Sequence, residues 1–332
     1  MRIGLIGLGR IGAFHARTLA ALPAVDSLVV TDVIPAAIER VTAEMPAQAA
    51  GSPQDVLRAG VDGVVIAAAT DAHPELILAA VEAGIPVFCE KPVARAAAEA
   101  AGVLTAVEKS GVPVQIGYNR RFDAGFVTAR QAVTRGELGW VHTIRSTTMD
   151  PAPPPAAYLA GSGGIFRDCS VHDFDILRFV TGREVAEAYA TGGTRGDDIF
   201  GAIGDVSTSA AVLTLDDGSL ALISNTRYNG RGYDVRLEVH GSADTIAVGW
   251  DSHVPVRAVD PGATFPPGPP YHFFMDRFAA SYRAELAAFT ELVAGTRPSP
   301  CTVADAVEAG WIAEACTRSR QEQRPVRLSE FR

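Results

Sequence analysis

The sequence has no long hydrophobic run. In its 332 residues no apolar stretch approaches the ~20 residues that cross a bilayer, so we predict no membrane-spanning segment. The N-terminus, MRIGLIGLGRIG, also lacks a charged region followed by a long apolar region and a cleavage site. It therefore predicts no signal peptide.

Cysteine is scarce, and its spacing suggests no cross-link or metal site. The four cysteines are Cys89, Cys169, Cys301 and Cys316, and none of them forms a CxxC pair. This pattern indicates neither a zinc site nor a disulfide framework. It favours a reducing compartment, and we expect a cytoplasmic protein.

An excess of positive charge is also missing. The formal net charge is −9, which gives no general attraction for nucleic acid or for an anionic membrane. With 48% hydrophobic and 20% charged residues, the composition is that of an ordinary globular enzyme. The length predicts two domains.

Strands and helices alternate over residues 1–118. The strand segments are apolar without a polar alternation, as in strands that are buried on both faces. Such an order predicts a doubly wound parallel sheet of the Rossmann type, an α/β domain. The predicted strands are 2–7, 28–32, 63–68, 86–90 and 112–118.

The pattern changes after residue 118. Several β-rich segments follow a helix near 123–135, and Asp217-Gly218 is a strong hairpin turn between two of them. Helices are predicted at 276–295 and 302–320. We expect residues 119–332 to form an α+β domain with an open, mostly antiparallel sheet.

A glycine loop opens the first helix. Gly7, Gly9 and Gly12 fit GxGxxG at the first strand–helix junction, where this motif binds a dinucleotide. Asp32 ends the second strand, where an acid accepts hydrogen bonds from the ribose hydroxyls and repels a 2′-phosphate. NAD is therefore favoured over NADP, although Arg10 could approach a 2′-phosphate.

Lys91 stands in the segment CEKP, at the end of a predicted buried strand. Open parallel sheets bind ligands at the carboxyl ends of their strands. Pro92 biases Lys91 toward an extended backbone, which would project the ammonium group between the nicotinamide and the substrate. A purely structural lysine, paired with a carboxylate, is the alternative.

A second polar cluster lies in GGIFRDCSVHDFD. On an α-helical wheel Asp168, His172 and Asp175 fall within about 60° of one another, opposite an apolar stripe. Asp173 falls outside this group, and we predict a structural role for it. The arrangement suits a histidine oriented by carboxylates; a divalent metal site is a weaker alternative, and we predict no metal.

Four motifs in order resemble one protein family. GLGRIG with Asp32, CEKP, GYNRRFD and GGIFRDCSVHDFD are similar to the glucose–fructose oxidoreductase, inositol dehydrogenase and rhizopine-catabolism (Gfo/Idh/MocA) superfamily, and most similar to its inositol 2-dehydrogenase branch. The resemblance runs from residue 1 to about 320. It implies a Rossmann domain, an open sheet domain, and a homotetramer whose sheets pack face to face.

The resemblance also implies roles for individual residues. Lys91, Asp168 and His172 match the catalytic set. The predicted substrate contacts are Lys91, Asn119, Arg121, Asp168, His172, Asp175 and Tyr233. The predicted cofactor contacts are Gly7, Gly9, Arg10, Ile11, Gly12, Asp32, Thr70, His73, Glu90 and Lys91. Arg231 stands where inositol dehydrogenases often carry a tyrosine.

The expected reaction is oxidation of a secondary alcohol on a cyclic polyol. His172 would accept the hydroxyl proton, Asp168 would orient the imidazole, and Lys91 would stabilise the alkoxide. Three alternatives remain: a related dehydrogenase acting on scyllo-inositol, an aldose or a glucoside; a non-catalytic sensor of NAD and sugar; and an NAD-dependent glycosidase.

Overall fold

The computed structural model describes residues 1–331, and the chain divides into two units. The first unit comprises Met1–Phe122 and Ala280–Glu308. The second unit comprises Asp123–Ala279 and Ala309–Arg332.

The first unit begins with strands and helices in alternation. Its elements up to the second unit are β1 (Arg2–Ile6), α1 (Arg10–Ala20), β2 (Ser27–Thr31), α2 (Pro35–Glu44), β3 (Ala47–Ala49), α3 (Pro53–Arg58), β4 (Gly63–Ile66), α4 (His73–Glu82), β5 (Val87–Glu90), α5 (Ala97–Ser110) and β6 (Val114–Gly117).

These six strands form one parallel sheet in the order β3-β2-β1-β4-β5-β6. This is the strand order of a dinucleotide-binding Rossmann sheet, and it confirms the predicted fold class. The sequence did not predict β3 and α3. A three-residue edge strand with the sequence AQA, partly exposed, carries neither the length nor the apolar character that marks its neighbours.

A late segment of the chain completes the first unit. Helix α11 (Ala279–Val293) contributes Leu286, Phe289 and Leu292 to the same hydrophobic core as the first strands. At Gly63 of β4 a Cβ atom would lie 2.6 Å from Val293, so glycine permits the helix to approach the sheet. The boundary predicted at residues 118/119 placed this segment in the second domain, because a linear division cannot anticipate a chain that returns.

The second unit holds the remaining elements, and the last helix among them begins in the first unit. They are α6 (Ala124–Thr134), β7 (Val141–Met149), α7 (Ala156–Gly161), α8 (Val171–Thr181), β8 (Val185–Gly193), α9 (Ile199–Ala202), β9 (Thr208–Leu215), β10 (Leu220–Thr226), β11 (Asp234–Gly241), β12 (Thr245–Val248), α10 (Phe274–Arg277), α12 (Val303–Glu322) and β13 (Val326–Arg327).

Seven strands form the second sheet, in the order β12-β11-β7-β10-β9-β8-β13. Neighbouring strands run antiparallel except for β7 and β10, which are parallel. Gly218, in the predicted Asp217-Gly218 turn, has φ +85° and connects β9 to β10. The sheet is thus mostly antiparallel, as predicted.

All four cysteines are buried. Over residues 1–331 no helix combines the length and apolar character that crossing a membrane requires. Within the same residues no three His, Cys, Asp or Glu side chains are grouped so as to hold a metal ion.

Candidate functional site

The glycine loop joins β1 to α1, and each of its glycines has its own geometric reason. Gly7 has φ +94°, and a Cβ there would lie 2.5 Å from the Ala68 nitrogen. A Cβ at Gly12 would lie 2.0 Å from the Gly7 oxygen, so only glycine allows the helix to pack so closely. A Cβ at Gly9 would meet nothing within 4 Å. Gly9 therefore lines open space beside the N-terminus of α1, where a pyrophosphate can approach the backbone.

Asp32 connects the glycine loop to the end of β2. Its Oδ2 accepts a hydrogen bond from the Leu8 N–H at 2.5 Å, and its Oδ1 accepts one from the Ile34 N–H at 2.8 Å. The guanidinium of Arg40 donates to the Leu8 carbonyl at 3.0 Å. The carboxylate is therefore fixed beside the loop, where an adenosine ribose would donate to its remaining lone pairs.

The other predicted cofactor residues of this region lie at helix beginnings. Arg10 and Ile11 are the first two residues of α1. Thr70 begins the 3₁₀ turn Thr70–Ala72, which leads directly into α4. His73 is buried, and its Nδ1 and Nε2 lie 2.7 Å from the Pro92 oxygen and 3.0 Å from the Ala68 oxygen. His73 thus ties the end of β4 to the turn after β5.

Glu90 and Lys91 lie at the carboxyl end of β5. Glu90 is the last residue of the strand, and Lys91 follows it half-buried, with a cis peptide bond to Pro92. The Oε1 of Glu90 lies 2.6 Å from Nε2 of the fully buried His15 on α1. The sequence placed Glu90 and Lys91 at this edge but gave no indication of His15.

The motif GYNRRFD contains two predicted substrate residues, Asn119 and Arg121. Both are buried in the 3₁₀ turn Asn119–Phe122, which follows β6. Arg121 forms an ion pair with Asp305 at 3.1 Å and donates to the Pro300 carbonyl at 3.1 Å. Burial acts to raise the pKa of Asp305, but Arg121 and the N–H of Thr302 outweigh it and hold the pKa below its ordinary value. Arg121 therefore has a structural task in the first unit, and its contact with substrate stays a prediction.

In the second unit the motif GGIFRDCSVHDFD begins with two glycines in left-handed conformations. Gly163 and Gly164 have φ +80° and +90°. The side chain of Asp205 accepts a hydrogen bond from the Ile165 N–H at 3.0 Å and so caps the segment that follows. That segment is a π-helical turn, Phe166–Ser170, which continues into α8. Such wide turns are frequent at functional sites.

Asp168 is held by two partners. Its Oδ1 accepts a hydrogen bond from the Tyr158 hydroxyl at 2.7 Å, and its Oδ2 accepts one from the buried Arg227 at 2.6 Å. Arg227 also donates to Asp150 at 2.8 Å. Burial acts to lower the pKa of Arg227, but neighbouring Cys169 and the carboxylates of Asp168 and Asp150 outweigh it, and the pKa lies above its ordinary value. Arg227 thus carries a permanent charge that stabilises the ionised form of both aspartates.

Asp173 anchors α8 to the sheet. Its carboxylate is fully buried and accepts hydrogen bonds from Ser146 at 2.6 Å, Thr148 at 2.9 Å and Asn225 at 2.7 Å. These partners lie on β7 and β10. Asp173 thus has the structural role predicted for it, through hydrogen bonds from side chains of the sheet. The network fixes the helix that carries His172.

Asp168, His172 and Asp175 do not have the arrangement that an α-helical wheel predicts. The wheel assumes an α-helix throughout, but the π turn changes the angle between Asp168 and the residues of α8. His172 is half-buried, whereas Asp175 has no exposed surface. The three residues therefore do not form one accessible stripe. A direct substrate contact of Asp175 stays a prediction, and it requires that this carboxylate become accessible.

Tyr233 and Cys169 also belong to the second unit. Tyr233 is 6% exposed, and its ring contacts that of Phe278. Its role toward substrate stays a prediction. Burial raises the pKa of the Cys169 thiol, and neighbouring Asp150 raises it further. Cys169 therefore stays protonated and is not a nucleophile, although it adjoins Asp168.

No local pattern in the sequence indicated Tyr158, Arg227, Asp150 or His15. Asp150 and Arg227 follow β7 and β10, whose last residues, Met149 and Thr226, pair in register. Since these strands are parallel, their ends meet, but the parallel pairing of two distant segments has no local signal in the sequence. Tyr158 lies just after PAPPP, a proline-rich stretch that carries no recognisable catalytic motif.

Comparison with known proteins shows similarity over both units. Residues 1–118 match the profile of the oxidoreductase family with an NAD-binding Rossmann fold. Residues 126–247 match the profile of the GFO/IDH/MocA C-terminal domain.

Individual relatives align over nearly the whole chain. The myo-inositol 2-dehydrogenase of Thermotoga maritima is 36% identical, over 99% of this chain and 99% of the relative. A crystal structure of a myo-inositol dehydrogenase from Corynebacterium glutamicum has a TM-score of 0.90 and 36% identity, covering 99% of this chain and 98% of that one. The scyllo-inositol dehydrogenase of Lactobacillus casei, crystallised with NAD(H) and scyllo-inositol, has a TM-score of 0.88 and 27% identity, with 99% of each chain covered.

Proposed function

We propose that this chain, which belongs to the GFO/IDH/MocA oxidoreductase family, oxidises one secondary hydroxyl of a cyclic polyol, with myo-inositol as the favoured substrate. The membership confirms the resemblance carried by the four motifs. The chain is accordingly an NAD-dependent dehydrogenase. The finer assignments, of substrate and of catalytic roles, are our proposal.

The residues present fit a bound NAD. The open position beside Gly9 leaves room for the pyrophosphate, and the N–H groups that begin α1 can donate to it. Asp32 would accept hydrogen bonds from the adenosine ribose and would repel a 2′-phosphate. The nicotinamide ring, when bound, supplies the acceptor for the hydride that leaves the carbinol carbon.

His172 is proposed as the general base. Its imidazole takes the proton of the reacting hydroxyl while the hydride leaves the same carbinol carbon. The observation that carries the proposal is the Asp168 carboxylate, held by Tyr158 and Arg227 in the π turn that directly precedes His172's helix. A fixed, ionised carboxylate orients a neighbouring imidazole and stabilises its charged form.

Lys91 is proposed to donate a hydrogen bond to the reacting oxygen. The ammonium group stabilises the negative charge that develops on this oxygen as the proton leaves. In this mechanism Lys91 and His172 act on one carbinol, Lys91 as the electrostatic stabiliser and His172 as the base.

A polyol suits the predicted substrate residues, since Asn119, Arg121 and His172 offer both donors and acceptors to a ring of hydroxyls. A site that pairs with hydroxyls rejects analogues that lack them. The names of the similar proteins favour an inositol, and both myo- and scyllo-inositol occur among them.

We also propose a homotetramer. On the face of the second sheet that bears Arg145 and Thr147, apolar side chains are exposed: Tyr189 by 46%, Val212 by 43% and Leu222 by 43%. The occupant that fits this face is the same face of a second copy, since small and apolar residues cover its centre. Strand β10, LALISNT, is accordingly apolar on both of its faces near its start.

The decisive experiment measures reduction of NAD and NADP over myo-inositol, scyllo-inositol, chiro-inositol and glucose. We expect the highest kcat/KM with myo-inositol and NAD. The His172→Ala variant should lose at least about 10²-fold in kcat, because general base catalysis contributes about that much or more. Its binding of NADH, followed by fluorescence, should stay unchanged.

Two outcomes would contradict the proposal. Absence of NAD reduction with every polyol, in protein that binds NADH, would indicate a sensor. Near-normal turnover of His172→Ala would remove this residue from the role of base. A preference for scyllo-inositol or glucose would keep the reaction and replace the substrate.

A further inference from the structure

The fully buried imidazole of His15 has no role in the mechanism described above. His15 lies in the second turn of α1, the helix that the glycine loop opens, and has no exposed surface. Its Nε2 lies 2.6 Å from the Oε1 of Glu90. A buried ionisable side chain is costly unless it is paired, so its presence here calls for a physical reason.

We propose that His15 is a positioning residue that fixes the Glu90 carboxylate for the nicotinamide ring of the cofactor. The inference deepens the proposed function, because it concerns the same NAD site. It rests on the environment of the His15 ring, on the place of Glu90 in the sheet and on the glycine opposite it.

The surroundings of the ring leave one of its nitrogens to hold Glu90. Three aromatic rings lie around His15, with centroid distances of 6.1 Å to Phe14, 5.6 Å to Phe88 and 5.8 Å to Tyr282. The Nδ1 atom is buried and has no hydrogen-bond partner within residues 1–331. Nε2 is therefore the ring nitrogen through which His15 holds Glu90.

Glu90 stands where a ligand of the parallel sheet binds. It ends β5, and its pairing partner on β6 is Gly117. A Cβ atom at Gly117 would lie 3.1 Å from the Glu90 Oε2, so glycine leaves room for the carboxylate in this orientation. The side chain retains 13% exposure. With Oε1 bonded to His15, Oε2 is the oxygen that a ligand at the strand end can reach.

The chemistry of that oxygen suits the nicotinamide ring of the cofactor. A carboxylate accepts hydrogen bonds and repels phosphate, so it suits the amide N–H group of the nicotinamide carboxamide and not the pyrophosphate. Glu90 also directly precedes Lys91. By fixing the Glu90 side chain, His15 fixes the end of β5 from which Lys91 projects.

The test compares two ligands. ADP-ribose shares the adenosine, pyrophosphate and second ribose of NADH but lacks the nicotinamide. Calorimetry on the full-length protein should show that His15→Leu weakens NADH binding by about tenfold, which one hydrogen bond to a charged group is worth. ADP-ribose binding should change by less than about twofold, since its contacts are untouched.

Matched variants separate positioning from folding. His15→Gln can place an amide N–H near the former Nε2 and should restore NADH binding, whereas His15→Asn is too short and should behave like His15→Leu. Glu90→Gln should show the same selective loss, and its combination with His15→Leu should add nothing further. Leu19→Ala, a core change on the same helix, should lower stability without changing the ratio of the two affinities.

Equal weakening of both ligands in the folded His15→Asn and His15→Leu variants, or no weakening, would overturn the inference. Additive effects in the double variant would overturn it as well. These measurements need no turnover. A protein that oxidises no polyol would refute the proposed function and still report on His15.

Discussion

Arg227 is the residue that holds two aspartates of the second unit in place. Its guanidinium lies between Asp150 and Asp168 and is 3% exposed. Because Asp168 would orient His172, Arg227 acts on the reaction through another side chain. It is a positioning residue, and its contribution can be separated from stability.

We expect Arg227→Met to lower kcat by about 10²-fold, because a misplaced catalytic group costs about that much. The KM for NAD should change little. The free energy of unfolding should fall by about 3 kcal/mol, since two carboxylates lose a buried partner. Steady-state kinetics and urea denaturation measure the two effects, and Arg227→Lys should recover part of both.

The matched control is Arg178→Met. Arg178 also pairs with a carboxylate through two hydrogen bonds, at 2.8 and 2.7 Å to Glu184, at the end of α8. We expect it to lose about 1 kcal/mol or less of stability and no turnover. Equal turnover losses in the two variants would show that Arg227 acts only on stability.

At the residue scale, the sequence indicated the candidate residues that lie in local motifs and missed those that meet their partners only in the folded chain. Lys91, Asp168 and His172 lie in motifs whose local spacing carries information. Arg227 and His15 reach their partners across 59 and 75 positions of sequence. Only the strand pairing and helix packing bring such residues together, and neither leaves a local pattern.

At the scale of elements, the glycine loop is a strand–turn–helix unit in which two glycines have different tasks. Gly12 permits close packing against Gly7, whereas Gly9 borders open space. A methyl group added at each position should therefore act on different properties of the first unit.

We expect Gly12→Ala to lower the unfolding free energy of the cofactor-free protein by about 1–3 kcal/mol, because the backbone must shift. Gly9→Ala should change it by less than about 0.5 kcal/mol, the usual range for an uncrowded site. Gly9→Ala should nevertheless weaken NADH binding, since its methyl group occupies the space left for the pyrophosphate. Denaturation without cofactor and fluorescence titration with NADH distinguish the two. A stable Gly12→Ala or a full-affinity Gly9→Ala would contradict this division of tasks.

Helices and strands with strong periodicity were predicted well, and short or irregular elements were not. The six-stranded sheet lacked only its edge strand β3 in the prediction. The π turn was not predicted, because a helical wheel has a fixed angle per residue and nothing in FRDCS marks a change from α to π geometry. The parallel pairing of β7 and β10 was not predicted, because parallel and antiparallel strands of such a sheet have the same composition.

At the scale of the whole molecule, a substitution on the exposed apolar face of the second sheet tests the proposed assembly. Leu222→Arg should convert the proposed tetramer into smaller species, because a buried arginine without a partner is costly. Sedimentation velocity measures the masses. Leu78→Arg, at an apolar residue of α4 that is 38% exposed, is the matched control and should keep the wild-type mass. A monomeric wild type, or an unchanged Leu222→Arg, would refute the proposed interface.

The return of the chain to the first sheet also has a consequence during protein synthesis. The core of that sheet includes Leu286 and Phe289, which the ribosome adds long after β6. At roughly 5–20 residues per second, the nascent chain waits on the order of ten seconds or more with this apolar surface uncovered. The N-terminal sheet therefore reaches its final form only after most of the second sheet has emerged, and a fragment ending at Phe122 would expose the surface that α11 covers.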